Sequence, residues 1–153
     1  MINIESIIDL GRLGGVGLIA GIFASIVANR DHRKRKWWEL RVAAYRDVIE
    51  ALSDIVYYFD TKYNAEIESR ELSAESEKIL SDYWDVASKK IRKMADCGAF
   101  LFSNEANDAL AIFISECKKT HNSYFEQLDS DLFEANKCLT SLVSLSKIDL
   151  KLS

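Results

Sequence analysis

With 153 residues, 20 Lys+Arg and 24 Asp+Glu, the chain carries a net charge of −4 and has room for one folded domain beside an accessory segment, not for two domains. The charge is divided unevenly: residues 1–36 hold 6 Lys/Arg and 3 Asp/Glu (+3), whereas residues 37–153 hold 14 and 21 (−7). An acidic main part argues against binding of duplex nucleic acid, which depends on neutralising phosphates with basic residues.

Residues 1–12 read as a short extracytoplasmic N-terminus that includes Glu5 and Asp9. The run that follows at 13–28, LGGVGLIAGIFASIVA, contains no charge. As a helix it rises about 24 Å, short of the ~30 Å hydrocarbon core of a bilayer, and its flank supplies the difference. Arg12 can snorkel outward, so that Leu10 and Gly11 lengthen the apolar stretch to about 19 residues. These features predict one transmembrane helix at 13–28. A cleaved signal peptide fits less well, because its first region should be positive and Ile26 stands where a cleavage site wants a small residue.

Residues 29–36 form a basic juxtamembrane collar of Arg30, Arg33, Lys34, Arg35 and Lys36. Cations beside an apolar span stay cytoplasmic, so the reading is single-pass in the cell inner membrane, with the C-terminal domain inside. Each collar cation held at an anionic leaflet contributes about 1 kcal/mol, which makes membrane lipid a partner; a bare topology signal would need no such contact. Within the span, Gly14, Gly17, Gly21 and Ser25 place small residues on one face, beside Ala20, Ala24 and Ala28. Small residues at this spacing let helix backbones approach closely, and they point to a homo-oligomer.

Residues 37–153 contain no proline, and their apolar spacing is helical. Trp38, Val42, Tyr45, Ile49, Leu52, Val56, Phe59 and Tyr63 recur in steps of four and three, a heptad seam widened by Val48 and Ile55, and predict a helix over about 33–67. The polar stretch 66–77 reads as a turn in which Ser73 caps the next helix and Glu75 and Glu77 favour its positive end. That helix carries Leu80, Trp84, Ala87, Ile91 and Met94 and stops near Gly98. Ser103 caps another, with Ala106, Leu110, Phe113 and Cys117 inward.

Two arrangements remain beyond that point. A turn at 120–123 yields a last helix with Phe125, Leu128, Leu132, Ala135, Leu139 and Leu142; without it one helix runs from 104 to about 148. The fold class is therefore all-α, one N-terminal transmembrane helix followed by an antiparallel three- or four-helix bundle at 37–153.

Chemistry is sparse in this sequence. Cys97, Cys117 and Cys138 lie far apart with no CxxC and no companion His pair, so they read as core residues in a reducing compartment, not as zinc ligands or disulfides. His32 and His121 have no partner at catalytic or ligand spacing. No nucleophile elbow, phosphate-cradling glycine loop or zinc-protease signature is present, and the expectation is a non-enzymatic protein without cofactor or metal. One departure from the acidic background is the ridge of Lys89, Lys90, Arg92 and Lys93, which could bind an anionic nucleotide; as cations in the last turns of a helix they also complement its dipole. Lys118 and Lys119 are expected to lie apart from this ridge.

An apolar span, a basic collar, the helix WWELRVAAYRDVIEAL and a small helical domain with the turn ADCGAFLFSNEAN together resemble small bacterial membrane-anchored helical proteins of antiviral defence. Among these are CRISPR-associated membrane effectors activated by cyclic oligoadenylate. The resemblance implies an oligomeric, signal-responsive effector whose cytoplasmic domain senses a ligand and whose membrane helices alter permeability. No ligand-contact motif of that group is matched, so the ridge at 89–93 rests on charge. The alternative is a membrane-tethered adaptor that binds a protein partner.

Overall fold

The computed structural model describes the backbone of residues 4–97 and 100–151 and the side chains of residues 32–96 and 100–151. Four helices follow one another: α1 (Ile4–Ile67), α2 (Ala74–Cys97), α3 (Asn104–Glu116) and α4 (Tyr124–Asp149), with no strand among the described residues. The all-α expectation holds, and the chain takes the four-helix alternative.

The chain divides into two compact units, Met1–Glu39 and Leu40–Ser153. In the first, the backbone is helical from Ile4, and the side chains at 32–39 are exposed. The apolar run 13–28, with Gly14, Gly17, Gly21 and Ser25, and the collar's Arg30 fall outside the residues whose side chains are described. Among the described residues, no helix is long and apolar enough to cross a membrane.

The second unit is an antiparallel bundle. Tyr63 stacks on Phe125 with ring centroids 5.2 Å apart, while Tyr45, five turns earlier on α1, bonds to Asp149 at the far end of α4. Lys62 pairs with Glu77, and Asp47 lies 3.7 Å from Lys90, so α2 also runs against α1. Ser103 meets Asp149 and Ala109 meets Cys138, which sets α3 against α4.

The core is drawn from all four helices: Tyr45, Val48, Leu52, Ile55 and Phe59; Ala87 and Ile91; Ala106, Leu110 and Phe113; Leu128, Ala135, Cys138 and Leu142. On α1 the buried stripe is rotated from the expected seam. Ala44, Val48, Ala51 and Ile55 are buried, Val42, Ile49, Val56 and Tyr63 are half-buried, and Trp38 lies outside the core. A helix covered on two sides buries a broader stripe than a two-stranded coiled coil, and the small Ala44 and Ala51 let the neighbours approach. On α4 a similar shift puts Cys138 in the core and leaves Phe125 exposed.

Local signals set the helix ends. Ser73 Oγ accepts the Ser76 N–H at 3.2 Å and Ser123 Oγ accepts that of Glu126 at 3.1 Å, each satisfying an orphan donor. Ser123 with Glu126 has the spacing of a capping box, so the break before α4 needs no glycine or proline. At the end of α1, Arg70 N–H bonds to Ala65 O and Ser69 N–H to Glu66 O, a Schellman closure that holds Ser69 at φ 50°. A side chain in this left-handed region costs about 1 kcal/mol, which glycine avoids. Ser69→Gly should therefore raise unfolding free energy by about 1 kcal/mol in urea denaturation, without changing the helical signal.

Candidate functional site

The most connected polar group in the bundle is Asp149, the last residue of α4, largely buried with a side chain 12% exposed. Its Oδ2 accepts the Tyr45 hydroxyl from α1 and the Ser103 backbone N–H at the start of α3, and the Arg41 guanidinium lies 3.7 Å away. Arg41 Nε in turn donates to the Leu101 carbonyl at 3.0 Å, tying α1 to the α2–α3 connection. Tyr45 is held edge-on against Phe102, with ring centroids 4.8 Å apart. Burial alone would raise the Asp149 pKa, but the Tyr45 and Ser103 hydrogen bonds and the Arg41 charge outweigh it and hold the carboxyl below its ordinary value. In the sequence neither Arg41 nor Asp149 stands out from the other charged residues. Tyr45 and Asp149 are 104 residues apart, and no local pattern announces such a pair.

The basic ridge is only partly free. Lys89, Arg92 and Lys93 are exposed on α2, but Lys90 is half-buried with its Nζ 3.7 Å from Asp47 Oδ1, so it closes the α1–α2 contact. The expectation that Lys118 lies apart from the ridge is corrected. Arg92 and Lys118 line one cleft of about 320 Å³ between α2 and α3, together with Ala95, Asp96 and Ile114. They also rim a smaller apolar pocket of about 90 Å³ whose lining includes Ile55, Trp84, Ile91 and Phe113. The packing of α3 against α2 brings Ile114 and Lys118, at and just past the end of α3, beside the last turns of α2, which sequence position along an idealised hairpin does not show. Asp96 offsets part of the positive charge. Of the collar, Arg33, Lys34, Arg35 and Lys36 are exposed.

A second buried carboxylate lies inside the bundle. Asp131 sits in the inward stripe of α4 and accepts a 2.8 Å hydrogen bond from Gln127 Nε2. Burial raises its pKa, against the opposing effects of the Gln127 hydrogen bond, the His121 charge and the Cys117 thiol. Burial likewise pushes the thiols of Cys117 and Cys138 up to about 12, so neither is an activated nucleophile. Both are free, whereas the side chain of Cys97 is outside the described residues. Among the described residues no cluster of His, Cys, Asp or Glu could hold a metal ion. Comparison with protein-family models, curated proteins and solved structures gives no match.

The two carboxylates should respond oppositely to pH and to amidation. Asp149, with its pKa below the ordinary 3.8, contributes stability that is whole above that value and lost as pH falls below it. Asp149→Asn should cost about 2 kcal/mol at neutral pH, through weakened charged hydrogen bonds, and flatten the acid limb of a stability–pH curve. Asp131 has a raised pKa, so its charge opposes folding at neutral pH and the cost disappears as pH falls through the folded-state value. Asp131→Asn should therefore increase the urea midpoint at pH 7 and have a smaller effect near pH 4.

Proposed function

We propose that the chain is a membrane-anchored, homo-oligomeric effector of the antiviral type, held in the inner membrane by the helix at 13–28 with its C-terminal bundle in the cytoplasm. The bundle binds an anionic ligand, such as a cyclic oligonucleotide, and the membrane helices respond by altering permeability. The observation that carries the ligand reading is the convergence of Arg92 and Lys118, from two segments of a net-negative domain, on one cleft. Lys89 and Lys93 extend the positive surface along α2. About 320 Å³ is at the small end for ligand pockets, so one copy accommodates a phosphate-bearing group, and an oligomer would multiply such contacts.

A second reading, a membrane-tethered adaptor, is favoured by a different observation. Ile79, Tyr83 and Val86 form an exposed apolar stripe on α2, continued by Tyr57 of α1, whose ring meets Tyr83 edge-on at 5.8 Å. Exposed aliphatic and aromatic residues in one line are the kind of surface that protein partners cover. The membrane face separates the readings: replacing Gly17 and Gly21 with Leu should abolish permeability changes by an effector and leave a tether working.

Calorimetric titration of the full chain in detergent with cyclic oligoadenylate, and with inorganic triphosphate as a charge control, tests the ligand site. The Arg92→Glu/Lys118→Glu variant should bind roughly tenfold or more weakly with unchanged helicity, and wild-type affinity should fall steeply with salt. Lys90→Gln should matter less, because Lys90 is already paired with Asp47. Equal affinity in wild type and the double Glu variant would remove the site and leave the adaptor reading ahead.

A further inference from the structure

The Asp149 cluster organises one end of the bundle, and the residues beside its members are unusual. Leu40 precedes Arg41, Phe100 precedes Leu101 and Ile148 precedes Asp149. Arg41, Leu101 and Asp149 are joined by the 3.0 Å Arg41–Leu101 hydrogen bond and the 3.7 Å ion pair. Their neighbours are therefore gathered at the same end, although they come from α1, the α2–α3 connection and α4. All three are turned to solvent, with Leu40 55%, Phe100 81% and Ile148 71% exposed. Phe102, two residues after Phe100, is buried against Tyr45, so the connection sends one phenylalanine into the core and the other outward.

Charge separates this end from the opposite one. Lys147 and Lys151 are exposed beside Ile148, while Asp96 and Glu105 lie at the adjoining helix ends, giving a nearly neutral rim. At the other end, the α1–α2 turn carries Glu66, Glu68 and Glu71 against Arg70, and α2 starts with Glu75 and Glu77. An anionic surface repels that end and not this one. The sequence supplies the attraction: Lys36 precedes Leu40 by four residues, so chain connectivity keeps their Cα atoms within about 15 Å. The basic collar at 33–36 therefore ends only four residues before Leu40 along the chain. Apolar side chains beside a basic segment form the pairing by which peripheral elements seat at the headgroup boundary of an anionic bilayer.

We propose that this end of the bundle is a lipid-docking plate, in which Phe100 and Ile148, with Leu40, seat at the headgroup level of an anionic membrane. The inference rests on the membrane-anchored reading above and adds to it a second contact, made by the folded domain itself. In an effector, such a contact would link the start of α3 and the end of α4 to the membrane surface through Ser103 and Asp149.

The test uses the full chain reconstituted into phosphatidylcholine–phosphatidylglycerol vesicles that contain a photoactivated, carbene-generating lipid, with adducts located by peptide mass spectrometry. Docking predicts adducts at Phe100 and Ile148 in addition to the run at 13–28, at yields several-fold above those on α4 residues 124–140. Phe100→Ser should reduce labelling at Ile148 several-fold, and Ile148→Ser should do the same at Phe100. Both are exposed, so circular dichroism should be unchanged. Adducts at 13–28 with none at Phe100 and Ile148 overturn the plate and leave the anchor standing. Adducts at Phe100 and Ile148 without any at 13–28 uphold the plate and overturn the anchor. Labelling that persists unchanged in both Ser variants, or protein–protein adducts through Phe100 in place of lipid adducts, overturns the docking inference.

Discussion

The bundle depends on one buried carboxylate being satisfied from three directions. Asp149 is the last residue of α4, yet its acceptors serve Tyr45 from α1 and the first backbone N–H of the α3 cap, with Arg41 completing the charge balance. A carboxylate withdrawn from water without these partners would cost several kcal/mol, so the register of three helices is coupled at this point. Arg41 extends the coupling to the α2–α3 connection through the Leu101 carbonyl. Hydrophobic burial drives the association of the helices, but it is non-directional and tolerates sliding. The polar cluster selects one register among those that burial permits.

The other polar group in the interior has the opposite character. Asp131 lies in the inward stripe of α4, next to Cys117 and Gln127, and burial raises its pKa, so that its ionisation opposes folding. One carboxylate therefore stabilises the bundle through its charge, and the other lowers the stability of the region where α3 ends and α4 begins. Cys117, beside Asp131, also lines the pocket that Arg92 and Lys118 rim. A ligand that neutralises the two cations would act next to a segment already carrying an electrostatic cost.

The exposed residues divide into surfaces with different chemistry. Ile79, Tyr83 and Val86 present an apolar line on the side of the bundle, whereas Leu40, Phe100 and Ile148 protrude at the Asp149 end. The cleft between α2 and α3 is cationic at its rim and apolar within. These surfaces do not overlap, so the proposed lipid contact, anion site and partner face would not compete for the same residues.

Most of the helical architecture was legible in the sequence, for a local reason. Helix periodicity, N-caps and turn composition act over a few residues, and so Ser73 and Ser103, the apolar faces of α2 and α3, and the turn after Ile67 were read in place. The break before α4 was left open, because no glycine or proline marks it, and the structure settles it with the Ser123 cap at capping-box spacing from Glu126. The exact buried stripe of α1 was not, because it depends on how many neighbours cover the helix and from which sides. Nor was the Asp149 cluster, whose members are ordinary charged or polar residues until the chain returns over 104 positions to bring Tyr45 to Asp149. The same holds for the partnership of Arg92 with Lys118: the sequence by itself determined where positive charge lies along α2, whereas only the tertiary crossing of α2 and α3 decided which second cation stands beside it. Local hydrogen bonding and amphipathicity are written in neighbouring residues, but convergence of distant side chains is a property of helix packing, which no short window contains.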